Sequence, residues 1–203
     1  MTKYCAIFAL FLLSACASTP LSVEDYGRKN SLQAFNHLDF TVVIQNDPYA
    51  CGAAVLSAVF NYWGTPVDQN SILKSTPPKG EQGYSLAEMR DIAKTHGFNA
   101  FAIEANTEVL TKELNAKRPM IVALHLPIAL SGYAKVPVFG PVGKALAQNL
   151  GPRFNHYVTV VGLGPKRVLM ADPVQGIKTL PRKDFIAYWA KLKNSSLVLA
   201  FKK

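Results

Sequence analysis

The sequence predicts an α+β domain in which one helix, carrying a candidate nucleophile, packs on an antiparallel sheet. Three observations lead there. After Cys51, the residues Ala54, Val55, Ala58, Val59, Tyr62 and Trp63 fall on one side of a helix that stops at Gly64. Residues 119–126 are strongly apolar, as in a central strand (Met120, Ile121, Val122, Ala123, Leu124). Residues 154–163 and 167–172 are two strand-like runs joined by Gly164-Pro165-Lys166, which makes them antiparallel neighbours.

From the N-terminus, residues 1–16 stand apart from the fold. Met1-Thr2-Lys3 is a short basic start, and the apolar run 6–13 is too short to span a bilayer. Leu13-Ser14-Ala15-Cys16 then resembles a bacterial lipobox, which makes Cys16 an acylation site and the mature N-terminus. The plainer alternative is secretory cleavage near Ala15 or Ala17 without lipid. By resemblance to such lipoproteins, Ala17 stands where an aspartate would retain the protein at the inner membrane. The expected location is therefore the outer membrane facing the periplasm, with the lipid as the membrane contact. Residues 17–39 are weakly patterned and are expected to be a tether, leaving 40–203 as the folded domain. About 185 residues remain after the signal, enough for one core, and a monomer is expected.

The domain opens with a strand at 40–44, and the helix after Cys51 follows. A short helix is expected at 67–74 and a loop at 76–83. Ser85 with Glu88 three residues on makes a capping box for a helix at 86–95, closed by Gly97. A strand at 98–103 and a helix from Thr107 to near Lys117 come next. Residues 127–153 hold Pro127, Gly132, Pro137, Gly140, Pro141, Gly143, Gly151 and Pro152, with one helix-capable piece at 142–149. A connection of that length is expected either to cover a cleft, with Tyr133 and Phe139 offering apolar contacts to substrate, or to be a surface insertion. The chain closes with strands at 154–163, 167–172 and 176–180, a helix at 182–192 and a strand at 197–201.

The chemistry concentrates in Gln45-Asn46-Asp47-Pro48-Tyr49-Ala50-Cys51-Gly52-Ala53-Ala54. A cysteine at a helix start meets unpaired N–H groups and the positive end of the dipole, which favour the thiolate, the nucleophilic form. Gly52 is expected to let a substrate carbonyl come close. Gln45, six positions before Cys51, could donate its amide hydrogen to an oxyanion beside the Cys51 N–H. Asp47 is expected to cap the helix. His156 and Asp172 lie at the start of one strand and the end of its hairpin partner, hence at the same end of the sheet. Together they make a cysteine hydrolase set: His156 takes the thiol proton and returns it to a leaving amine, while Asp172 orients the imidazole. Tyr49 and Asn155 are further candidates for the substrate cleft. Once Cys5 and Cys16 are set aside, Cys51 has no disulfide partner; a buried core cysteine is the bland reading, and its flanks argue for the nucleophile.

Gln45 through Cys51-Gly52-Ala53-Ala54, His156-Tyr157-Val158 with Val160-Val161-Gly162, and Ala171-Asp172-Pro173 with Gly176 resemble the C39 peptidase family. These are papain-like double-glycine peptidases, best known as N-terminal domains of bacteriocin-exporting transporters. The resemblance spans about 40–201. It implies a papain-like fold, a triad at Cys51, His156 and Asp172, oxyanion support from Gln45, and a peptide or protein substrate cleaved after Gly-Gly or other small residues. No transporter membrane segments follow, so the leader-cleavage role of transporter-linked domains does not carry over automatically; a secretion or surface-assembly system is a further expected partner. The alternative is a non-catalytic module of such a system that binds a Gly-rich segment.

The balance of 22 basic to 13 acidic residues gives a formal net charge of +9. The basic residues are scattered, with Lys166-Arg167, Arg182-Lys183 and Lys191/Lys193 the closest groups, and no aromatic-interleaved basic helix appears. Nucleic acid is therefore not an expected partner. His96 and His125 have no second ligand at metal-binding spacing, so neither a metal nor another cofactor is expected.

Overall fold

The computed structural model describes residues 19–130 and 152–201. Cys16, Tyr133, Phe139 and the 142–149 piece lie outside the described residues.

Among the described residues, six α-helices surround a sheet of seven strands. The helices are α1 (Val23–Lys29), α2 (Cys51–Tyr62), α3 (Gln69–Ser75), α4 (Leu86–Thr95), α5 (Thr107–Asn115) and α6 (Arg182–Ala190). The strands are β1 (Asn36–His37), β2 (Phe98–Glu104), β3 (Met120–Pro127), β4 (Arg153–Leu163), β5 (Arg167–Asp172), β6 (Gly176–Pro181) and β7 (Ser195–Phe201). Every pairing is antiparallel, in the order β2-β7-β3-β4-β5-β6, with β1 added on β4 beyond the point where β3 begins.

Both faces of the sheet are covered, which is why β3 and β5 read as continuous apolar runs rather than alternating ones. Ile121, Leu169, Ala171, Leu197 and Leu199 face α2, α3 and α4 in one core. Met120, Val122, Leu124, Val158, Val160 and Met170 meet Leu110 and Leu114 of α5 and Phe185 and Trp189 of α6 in the other. Helix α2 is buried all along 52–60, and its one buried hydroxyl, Ser57, donates to the Val67 carbonyl at 2.6 Å. A helix buried on all sides carries small residues such as Ala53, Ala54 and Ala58, so neighbouring elements can approach its backbone closely. The capping box on α4 forms with both of its reciprocal bonds.

Three expectations need correction. The stretch 17–39 is not a free tether over its described part. Ser22 caps α1 by accepting from the Asp25 N–H at 3.0 Å, Val23 and Leu38 are buried, and His37 pairs with Gly162. The apolar residues Val23 and Leu38 are too far apart to show a period, so only their tertiary partners reveal them. Residues 40–44 do not join the main sheet. Their partner is the N-terminal segment, through Val23 N–H to Phe40 O at 2.9 Å and Val42 N–H to Leu21 O at 2.8 Å. The helix expected at 182–192 ends at Ala190; Lys193 and Asn194 then take left-handed conformations, each with φ 53°.

If α1 is an integral part of the fold, Val23→Ala should lower stability by about 2 kcal/mol, from two lost methyl groups and an incompletely collapsed void. A urea melt checks this; an unchanged midpoint is the result a loose tether would give.

Candidate active site

Cys51 is the first residue of α2. The N-cap, Ala50, has no side-chain bond to the helix, so no side chain competes for the first-turn N–H groups. Asp47, expected to be the cap, instead shapes the preceding turn. Its carboxylate accepts from the Tyr49 N–H at 2.8 Å, and its carbonyl accepts from Ala50 N–H at 3.1 Å and Gln45 Nε2 at 2.6 Å. Asp47 thus orders the approach to α2 and leaves the positive end of the helix open at Cys51.

The β4–β5 register places Thr159 opposite Ala171 and Val160 opposite Met170. Continued, it sets Asp172 opposite Val158, and His156 two residues further along β4. Period-two alternation then turns His156 and Asp172 to the same face. His156 Nε2 and Asp172 Oδ1 are 3.0 Å apart, with 5% and 0% side-chain exposure. With Nε2 engaged, Nδ1 is the nitrogen left for Cys51, which lines the same two cavities as His156. Burial alone would push the His156 pKa down. The bond to Asp172, and the nearness and charges of Asp172 and Cys51, outweigh it and carry the pKa to about 9. An imidazolium is therefore stable beside the sulfur at neutral pH.

Asp172 is held from every side. Its Oδ1 also accepts from the Val174 N–H at 2.8 Å and the Gln175 N–H at 3.3 Å. Lys178 Nζ sits 2.5 Å from Oδ2, an ion contact made off the hydrogen-bonding direction. Burial disfavours the carboxylate, but the His156 bond and charge, with Lys178 behind them, hold the carboxyl well below the usual range. Lys178 was not singled out from the sequence. The signal was available: Asp172 pairs with Gly176, so Lys178, two positions on, lies diagonally across on the same face.

Gln45 is buried at 8% exposure, and its N–H donates to the Pro173 carbonyl at 2.8 Å, tying the approach loop to the segment beside Asp172. Its Nε2 uses one hydrogen on Asp47 and keeps a second. Two cavities flank the Cys51–His156 pair. One, of about 490 Å³, has Gln45, Tyr49, Glu81 and Arg153 in its wall. The other, of about 560 Å³, has Tyr84, Tyr157, Lys191 and Lys193. Asn155 lies in both walls, and its Oδ1 accepts from His125 Nδ1 at 2.8 Å; Tyr49 is 59% exposed. Tyr157, not a sequence candidate, borders the sulfur. Burial first, then the charges of Cys51 and Glu88, push its hydroxyl up to about 12, so it stays protonated.

Gly52 departs from expectation. It is buried, and a Cβ there would meet Tyr84 and Met89 at 3.2–3.3 Å, so this glycine serves close packing of α2 on the 84–89 segment rather than an open substrate approach. Among the described residues, Cys51 is the one free cysteine, and no group of three or more His, Cys, Asp or Glu is placed to hold a metal ion.

A helix-start cysteine facing a buried His–Asp pair across an antiparallel sheet defines a papain-like cysteine peptidase fold. The chain belongs to the Peptidase_C39 like family, whose model matches residues 37–197. It is 25% identical over 156 residues to the "Probable functional amyloid protease FapD" of Pseudomonas fluorescens, covering 73% of this chain. The chain spans 56% of that relative's length. The fold is similar to the peptidase domain of Streptococcus ComA, a bifunctional ABC transporter of a quorum-sensing pathway (TM-score 0.58, 21% identity, 80% of this chain and 99% of that one). It is also similar to a double glycine motif protease from an AMS/PCAT transporter in complex with the leader peptide (TM-score 0.54, 18% identity, 82% and 94%).

The pKa directions set the pH response. His156 is raised from 6.5 to about 9, so its contribution to stability is full below about pH 6.5 and is lost as pH rises toward 9. Melting temperature should fall across that window in the native protein and fall less in His156→Gln. Asp172 is depressed, so its contribution is present above the unfolded carboxylate pKa and is lost as pH falls. Lys178→Met reduces the depression and should start the acid loss at a higher pH, read from melts between roughly pH 2 and 6.

Proposed function

We propose that Cys51, His156 and Asp172 act as a catalytic triad on a peptide or protein substrate, with Gln45 supporting the oxyanion. The observation that carries this is His156, bonded to the buried Asp172 and sharing its cavity walls with the thiol at an uncapped helix start. The thiolate attacks the scissile carbonyl. Charge develops on that oxygen within reach of the Cys51 N–H and the second Nε2 hydrogen of Gln45. The imidazolium then gives its proton to the departing amine, leaving a thioester on Cys51. Water, deprotonated by His156, attacks the thioester and releases the acid and the free thiol. Throughout the cycle Asp172 holds the ring orientation and offsets the imidazolium charge.

Cleavage after Gly-Gly or small residues is supported by family membership and by the double glycine motif protease among the similar structures. A secretion or surface-assembly partner is supported by the relative whose name joins a protease to functional amyloid. We further propose that Cys16 is acylated and that the domain hangs from the outer membrane facing the periplasm, on the strength of the lipobox-like Leu13-Ser14-Ala15-Cys16.

On Gly-Gly peptides, Cys51→Ala should abolish turnover, Asp172→Asn should lower kcat by roughly 10²–10⁴ and Gln45→Ala by roughly 10²–10³. The same Cys51→Ala strain, compared with its parent by N-terminal mapping of envelope proteins, should lose a defined set of new N-termini. Equal complementation of a deletion by native and Cys51→Ala genes would instead favour a binding module. Metabolic labelling with a palmitate analogue should mark the protein and fail in Cys16→Ser.

A further inference from the structure

The two cavities beside Cys51 differ in charge. The one on the Gln45 side carries both Glu81 and Arg153. The one on the Tyr157 side carries Lys191 and Lys193, both exposed, and no acidic residue. Neither lysine takes part in an ion pair among the described residues. The undescribed parts of the chain cannot supply a side-chain carboxylate, because residues 1–18, 131–151 and 202–203 contain no Asp or Glu. The acids on two neighbouring elements do not pair with them either. Glu88 accepts from Ser85 and from the Lys79 N–H, and Glu104 stands across the β2–β7 ladder from Ser195 without pairing to either lysine.

The lysines are also held in place. The turn that presents them contains two consecutive left-handed residues, Lys193 and Asn194, a conformation that side-chain-bearing residues adopt at a cost. Surrounding bonds enforce it. Lys193 N–H reaches Ala190 O at 3.1 Å, Asn194 N–H reaches Trp189 O at 3.1 Å, and the Asn194 carbonyl accepts from Ala105 N–H at 3.1 Å and Ser196 Oγ at 3.0 Å. Trp189, buried beneath the turn, donates from Nε1 to Ser196 Oγ at 3.2 Å. Glycine would satisfy this backbone more easily, yet a lysine occupies the position and stands in the wall of the cleft.

We propose that Lys191 and Lys193 form a subsite for a substrate carboxylate, on the side of the Cys51–His156 pair opposite Gln45. The substrate then supplies the anion that this cleft wall lacks, and the enzyme selects peptides carrying an acidic group at one fixed distance from the scissile bond. This rests on the peptidase reading of the same cleft.

Binding and turnover are measured separately. Fluorescein-labelled decapeptides with a central Gly-Gly, amidated at the C-terminus, carry a single Asp or Asn at each flanking position in turn. Their affinity for the Cys51→Ala protein is read by anisotropy at low salt. The expected result is one position where Asp binds about tenfold tighter than Asn, an advantage that fades with salt. The advantage should vanish in Lys191→Gln/Lys193→Gln and pass to a Lys-bearing peptide in Lys191→Glu/Lys193→Glu. Lys191→Gln alone, which leaves the left-handed turn untouched, should reduce it in part. Repeating the Asn peptides with a free C-terminus tells a terminal carboxylate from a side-chain one, and preference for either supports the subsite. Asp no better than Asn at every position, with the free C-terminus also giving no gain, overturns the proposal; so does an Asp advantage that survives the double substitution. Failure of the native enzyme to cleave any peptide that Cys51→Ala binds with this preference counts against the peptidase reading and leaves the carboxylate subsite standing.

Discussion

The buried contact between His156 and Asp172 is the constraint around which this structure is arranged. A carboxylate with no exposed surface is expensive to ionise unless it is surrounded by donors. Here the imidazole, two backbone N–H groups and the Lys178 ammonium surround it. Those donors come from β4, from the 173–175 turn and from β6. The carboxylate therefore fixes three neighbouring parts of the sheet relative to one another, and with them the direction in which the second imidazole nitrogen points.

What that nitrogen meets is decided by α2. The helix is buried through most of its length, which fixes its axis, and its N-terminus emerges at the end of the sheet with no side-chain cap. Gln45 closes the arrangement from the other side: its backbone N–H bonds the residue after Asp172, and its side chain bonds the turn leading into α2. The approach loop, the helix start and the end of β5 thus form one connected unit, and a shift in any of them would be felt at the sulfur.

The cleft on either side of the sulfur is built from less regular parts: the 81–86 segment, the start of β4 and the turn after α6. Substrate preference can change in such segments without disturbing the sheet, because they contribute wall rather than core. The charge difference between the two sides arises in this way. Lys191 and Lys193 belong to a turn whose shape is set by Trp189 and Asn194, not by the residues that hold His156.

The sequence by itself determined the elements and named the candidates for a reactive set. The capping box at Ser85 and Glu88, the apolar run of β3 and the hairpin around Gly164-Pro165 are local patterns, and local patterns follow from covalent geometry and short-range bonding. Cys51, Gln45, His156 and Asp172 were legible as candidates because residue type and spacing singled them out. Tertiary structure alone decided the rest. The segment 19–42 has no period of its own, so only its contacts reveal it as folded. Gly52 turned out to face Tyr84 and Met89, which lie more than thirty positions away along the chain. Lys178 became part of the Asp172 environment through strand register, and Lys191 and Lys193 entered the cleft wall because the chain leaves the helix at Ala190 in a left-handed turn. Each of these depends on which distant atoms pack together, and pattern along the chain does not encode that distance.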